Sequence, residues 1–236
     1  MTVVSYTQDS IVNKFDISNY LATLDLFAGL STNQIDALAK VSKLVNVDRG
    51  EPVFVGYELL NDFYLLLNGQ IKISVTSLYG LEKVVCLIDS GQTFGEETLF
   101  IKKSEYPLCA EAIIDCQVLI MPRDAILSIL DSSATFARSM LVLLSERNCQ
   151  RIKEIKCISL QNSTQRLKSF LLQRSQETSN EYWLQLPVNK QTIASMLNIT
   201  PETFSRSMHR LIDAGLIEVN GKEVSILNIE GLRNFE

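Results

Sequence analysis

Glu202, Ser205, Arg206 and His209 carry side chains able to read the edge of a DNA base pair. All lie in the segment ITPETFSRSMHRLIDAG, which advances about 100° per residue if it is helical. They then fall on one side, with Phe204, Met208 and Leu211 on the other. Arg donates twice to guanine O6 and N7, Glu accepts from cytosine N4, and Ser serves either a base or a phosphate. Glu202, one turn before Arg206, is expected to orient its guanidinium. Thr203 flanks the same face. Lys190 and Thr192 open the preceding helix, where phosphate contacts are expected. His209 is the only histidine, which rules out a multi-histidine metal site within one chain. It is expected to meet DNA backbone or solvent, and no metal site is expected. Double-stranded DNA is the partner that this chemistry suits.

The surrounding residues predict the elements that hold these groups. Thr200 is an N-cap, Pro201 takes the favoured first helical position, and Glu202 complements the helix dipole. Gly215 stops that helix. Asn189 caps the helix before it, and LIEVN-GK-EVSIL predicts a hairpin turning at Asn220-Gly221. Asn189 to Asn228 therefore reads as a winged helix-turn-helix. Upstream, Ser163–Gln173 predicts a helix, RSQETSNEY a polar connection, and Trp183–Pro187 a short strand. A long helix without Gly or Pro is predicted from about Ala134 to Ile158. Leu141, Leu144, Asn148, Arg151, Ile155 and Ile158 mark a heptad seam along it, with Asn148 helping to fix register. That seam, and a reading head that needs two half-sites, predict a homodimer with two-fold symmetry.

From Leu44 to Met121 the pattern is that of short strands separated by turn residues. Asn68-Gly69, between FYLLL and IKISV, predicts a hairpin, and Ala110–Met121 reads as one strand. Helices are predicted at Ile17–Asp25, from Ser31, and at Arg123–Leu130. The expected class is α+β: an N-terminal antiparallel β-barrel, a long dimerisation helix and a C-terminal winged helix-turn-helix. The expected boundaries are 1–130, 131–158 and 159–236.

The 236 residues carry a net charge of −5, with 46% hydrophobic residues. From Ser159 onward, eight Lys or Arg balance eight Asp or Glu, so the acidity lies upstream of the reading head. The longest apolar runs fall short of a membrane span of about 20 residues. MTVVSYTQDS lacks the basic start and apolar stretch of a signal peptide, so a cytoplasmic protein without a membrane partner is expected. Cys86, Cys109, Cys116, Cys149 and Cys157 are scattered without a C-x-x-C pair, against a disulfide framework or a four-cysteine metal or cluster site. No nucleophile–His–carboxylate set can be assembled, and GQTFGEE lacks the P-loop lysine, so an enzyme is not expected. The competing reading is a small-molecule-binding module without specific DNA recognition.

LPVNKQTIASMLNITPETFSRSMHRLIDAGLIEVNGKEVSIL resembles the reading head of the cyclic-AMP receptor and fumarate–nitrate regulator (Crp/Fnr) family. The resemblance extends over nearly the whole chain. Asn68-Gly69-Gln70-Ile71-Lys72 and Gly91-Gln92-Thr93-Phe94-Gly95-Glu96 are similar to its cyclic-nucleotide-binding-type barrel, and the long helix to its dimerisation helix. Glu202, Ser205 and Arg206 resemble the fumarate–nitrate branch, whose half-site is TTGAT. PETFSR-x-MHRL and the closing SIL resemble the dissimilatory nitrate respiration regulators. The resemblance implies a transcription regulator that works with RNA polymerase. It also implies an effector pocket at Phe94, Gly95, Glu96, Leu99, Tyr106, Pro107, Leu108 and Cys109. The family's phosphate-binding Arg-Ser pair falls on Tyr106-Pro107, so cyclic AMP is not expected. No cysteine precedes Cys86, so an iron–sulfur cluster is not expected either. The effector stays open. Haem is the cofactor that the nitrate-respiration branch suggests, with Cys, Met or Tyr as axial ligand because this region has no histidine.

Overall fold

The computed structural model describes residues 14–56, 62–77, 80, 82–100, 107–178, 181–186 and 188–235. Tyr106, a pocket candidate, and Tyr79 and Pro187, read as turn and strand end, lie outside them. The chain divides into two compact units between Arg147 and Asn148, within the long helix.

The first unit opens with α1 (Lys14–Thr23) and α2 (Thr32–Val41). Ser31 and Gln34 form a reciprocal capping box that starts α2. Then follow β1 (Lys43–Val47), β2 (Pro52–Phe54), β3 (Asp62–Asn68), β4 (Gln70–Thr76), β5 (Glu82–Asp89) and β6 (Thr93–Phe94). The short α3 (Glu97–Phe100) leads to β7 (Leu108–Ala112), β8 (Cys116–Pro122), α4 (Arg123–Ser132) and the 27-residue α5 (Ala134–Leu160). Two four-stranded antiparallel sheets result, in the orders β1-β8-β3-β6 and β2-β7-β4-β5.

The FYLLL run is apolar throughout because β3 is buried on both faces. Tyr64 and Leu66 point between the sheets, where they meet Ile71, Ile73, Val118 and Ala110. Phe63 and Leu65 point the other way, into a cluster with Leu21, Leu38, Met121, Ile126 and Phe136 from the helices and β8. A strand with period-2 side chains and no solvent face must read as a continuous hydrophobic run.

Two expectations fail here for one reason. Asn68-Gly69 does not turn a hairpin: β3 lies in the first sheet, and β4 pairs with β5 and β7 in the second. Ala110–Met121 is likewise two strands, β7 and β8, one in each sheet, broken at Ile113–Asp115. Both segments are corners between sheets, and the corners pack together. A Cβ at Gly69, whose φ is +104°, would come 2.5 Å from Cys116 Sγ and 2.7 Å from the Asp115 carbonyl. Glycine is required there by the corner's close packing as well as by its backbone angle.

The second unit contains α6 (Ser163–Arg174), β9 (Gln176–Thr178), β10 (Glu181–Gln185), α7 (Lys190–Met196) and α8 (Pro201–Asp213). It closes with β11 (Ile217–Asn220), β12 (Glu223–Ile226) and α9 (Ile229–Asn234). The strands form one antiparallel sheet in the order β11-β12-β10-β9. β9 occupies part of the segment read as a polar connection, and α9 was not expected. Among the described residues, no single helix is long and apolar enough to cross a membrane.

Candidate nucleic-acid interface and sensor site

The side chain of Asn189 accepts from the Thr192 amide at 2.8 Å and starts α7. The chain leaves α7 through Asn198, at φ +55°, a left-handed conformation that asparagine tolerates better than most residues. Thr200 Oγ1 then accepts from the Thr203 amide at 3.2 Å and starts α8. Phe204, Ser207, Met208 and Leu211 are buried against the unit's core. Glu202, Arg206 and His209 are exposed, with Thr203 and Ser205 half-buried between them. The helix thus presents together the five residues picked out on it from sequence. Lys190 is exposed and Thr192 half-buried on the first turn of α7.

Two local bonds arrange the exposed face. Arg206 Nη2 donates to Thr203 Oγ1 at 3.3 Å. His209 Nδ1–H donates to the Ser205 carbonyl at 2.8 Å, leaving Nε2 outward. Glu202 behaves differently from the expectation that it orients Arg206. Its hydrogen bond with Thr200 is the main cause holding its carboxyl below the usual carboxylate range, and the charge of Arg206 adds a lesser contribution. A carboxylate in the first helical turn is drawn to the cap and the free amides there, away from the next turn. The guanidinium rests on Thr203 instead.

Behind α8, Thr164 Oγ1 and Ser207 Oγ lie 3.3 Å apart in a buried contact with α6. Beside it, the β11–β12 hairpin pairs Asn220 with Glu223 across a two-residue turn, with Gly221 at φ +62°. Lys222 stands exposed at its tip, a cation that the sequence reading did not single out.

In the first unit, the pocket candidates separate into two kinds. Phe94 is buried between the sheets, stacked on Tyr64 with ring centroids 5.1 Å apart. Leu99 is buried in the helix-facing cluster. Both side chains pack within hydrophobic cores. Gly95, at φ +81°, has no room for a Cβ, which would lie 2.9 Å from the Tyr64 ring. Leu108 and Cys109 are half-buried on β7, Pro107 is exposed, and Cys109 Sγ accepts from the Gly56 amide at 3.1 Å. Glu96 is 0% exposed and forms an ion pair with Arg147 of α5. The same guanidinium donates to the Thr93 carbonyl and lies 3.3 Å from Thr93 Oγ1.

Residues 44–133 match the cyclic nucleotide-binding domain model, and residues 165–235 match the Crp-like helix-turn-helix domain model. The chain is 36% identical to the solved structure of the transcriptional regulator DNR from Pseudomonas aeruginosa. That match covers 98% of this chain and 100% of the other, with a TM-score of 0.51. The chain belongs to the Crp/Fnr family of transcription regulators. It is also 23% identical over 201 residues to the cyclic AMP receptor protein of Thermus thermophilus, covering 85% of this chain and 91% of that one. A CooA mutant from Carboxydothermus hydrogenoformans shares the fold, at 16% identity and a TM-score of 0.75, over 98% and 97% of the two chains. As a Crp/Fnr protein the chain is a DNA-binding transcription regulator, and the named relatives are regulators rather than enzymes.

Within this Crp/Fnr chain, Arg147 is the site residue that sequence reasoning missed. A signal for it existed. Phe136, Met140, Leu143 and Leu144 form the inward face of α5, and Arg147 continues it one turn on. A charge at the end of an apolar stripe needs a buried counter-charge, and Glu96 supplies it. The same face takes in one residue of the heptad seam: Leu144, half-buried, packs against the core of its own unit. The exposed apolar residues of α5 include Leu141 (64%), Ile152 (59%), Ile155 (64%) and Ile158. With the exposed Asn148 they follow steps of about 3.5 residues through positions 141, 145, 148, 152 and 155. Arg151 is half-buried and ion-paired with Glu154 at 3.0 Å.

Proposed function

We propose that the chain is a homodimeric regulator of the nitrate-respiration type, in which each α8 reads one half of a TTGAT-like inverted repeat. The observation that carries this reading is the exposed face of α8, where Glu202, Ser205, Arg206 and His209 stand together over a packed support. Lys190 and Thr192 fit phosphate contacts at the head of α7, with Thr203 flanking the base-reading groups. In this reading, residues 1–130 sense, 131–158 dimerise through the exposed face of α5, and 159–236 bind DNA. The dimer works in the cytoplasm with RNA polymerase. Selection from a pool of random duplexes tests the reading. Enrichment of paired TTGAT-like half-sites is expected; enrichment of single, unpaired sites, or of no sequence at all, overturns it.

The effector in this reading is not cyclic AMP. Glu96 is already paired with the half-buried Arg147, and Tyr106-Pro107 supplies neither the Arg nor the Ser that a cyclic phosphate needs. Micromolar cyclic AMP is therefore expected to leave both the melting temperature and the operator affinity unchanged. A rise in melting temperature at that concentration sinks this part of the proposal. Haem is the cofactor that this reading suggests, with an axial ligand drawn from Cys, Met or Tyr, since no histidine precedes His209.

A further inference from the structure

We infer that Phe235, the residue after α9, is a positioning residue for DNA reading, acting through Arg210 of α8. Arg210 bridges two elements from the reading helix. Its Nη1 donates to Thr164 Oγ1 on α6 at 3.2 Å, and its guanidinium carbon lies 5.8 Å from the centroid of the Phe235 ring. Phe235 is itself held. Lys168 Nζ, on α6, donates to the Phe235 carbonyl at 2.7 Å and to the Arg233 carbonyl at 3.0 Å. These carbonyls end α9, where a cation satisfies both the free acceptors and the negative end of the helix dipole. The inner side of α9 is fixed as well, because Leu232 is fully buried.

Phe235, Lys168 and Thr164 thus form a cradle around one side chain of α8, one turn beyond Arg206. A planar guanidinium can donate to a hydroxyl along its edge while stacking its face on a ring; an ammonium has no such face to stack, and an aliphatic chain can do neither. The cradle touches none of the base-reading groups. It governs where the helix sits, and leaves what the helix reads unchanged. A helix that must be re-seated before it docks meets the same added cost on every sequence, because the contacts it makes once seated are the same.

This inference rests on α8 being the DNA reader, so the experiment carries Arg206→Ala as a separate control. Operator binding is measured with the full chain for Phe235→Leu, Phe235→Tyr and Lys168→Met, against the selected operator and its single-base variants. Phe235→Leu keeps the apolar bulk and loses the π face; a loss of about five- to tenfold on every sequence is expected, with base preferences unchanged. Phe235→Tyr keeps the face and is expected to bind as the unaltered chain does. Lys168→Met is expected to resemble Phe235→Leu, because it frees the carbonyl that holds the ring. Phe235→Leu binding with full affinity, or a loss that Phe235→Tyr shares, overturns the inference. If Arg206→Ala leaves base preference intact, the reading of α8 fails, which is a different result from either of these.

Discussion

Arg206→Ala is expected to cost roughly 1–3 kcal/mol per half-site and to flatten the preference at one G·C pair. The guanidinium is exposed on the outward face and tethered to the Thr203 hydroxyl of its own helix, so the fold does not need it. Its removal therefore takes away contacts to DNA and little else. Both half-sites of a dimer lose the contact, and the two losses add. Lys190→Ala supplies the contrast: a cation that meets only phosphate weakens all sequences alike and lowers the salt slope by about one. Titrating both variants against operator variants at one fixed salt concentration separates the outcomes. Full discrimination by Arg206→Ala at the G·C pair would remove α8 as the reader.

Ile152→Asp combined with Ile155→Asp is expected to give monomers that no longer hold the operator. Both side chains are more than half exposed on α5, on the stripe that Leu141 and Asn148 share. In a parallel pair, each introduced carboxylate would face its own copy across an apolar seam, desolvated and opposed by like charge. A single reading head then forfeits half of the phosphate and base contacts. Sedimentation gives the oligomeric state, and thermal unfolding shows whether each unit stays folded. Leu144→Asp is a less specific probe, because that half-buried side chain also packs against its own unit's core, so its substitution is expected to destabilise that unit too. A dimer that survives the paired substitution would move the interface elsewhere.

The reading head was legible in the sequence because its signals are local. Asn189, Thr200 and Gly215 punctuate two helices whose apolar spacing leaves one way to bury Phe204, Met208 and Leu211. The barrel was legible as a class but not as a topology. A strand's pairing partner is set by residues far along the chain, and Asn68-Gly69 satisfies a sheet-to-sheet corner as well as a hairpin turn. β9 was hidden because a short edge strand of Gln176, Glu177 and Thr178 has no large apolar residue to pattern it. The sensor residues were half legible. GQTFGEE points to Glu96, but its half-buried partner Arg147 lies far along the chain, on a helix read for its outer face. In that helix, two overlapping stripes compete for the same residues. Leu144 suits a heptad and an inward face equally well by spacing, and only packing assigns it.

The crossed wiring of the two sheets also bears on how the chain reaches its fold. β1 pairs with β8, Lys43 opposite Ile120, so the first strand synthesised has no neighbour until nearly the last is made. β3, the central apolar strand, waits for the same partner on one side and for β6 on the other. Closing loops of that length before any pairing is rewarded slows folding and leaves sticky strands uncovered meanwhile. On the ribosome, residues 43–89 emerge as unpaired or half-paired strands, and closure is delayed until about residue 122 has cleared the tunnel. The reading head faces a shorter delay: its helices and hairpin are near neighbours in sequence, although β10 must wait for β12, with Gln185 opposite Glu223. In a cell short of chaperones, the first unit is therefore expected to be lost before the second.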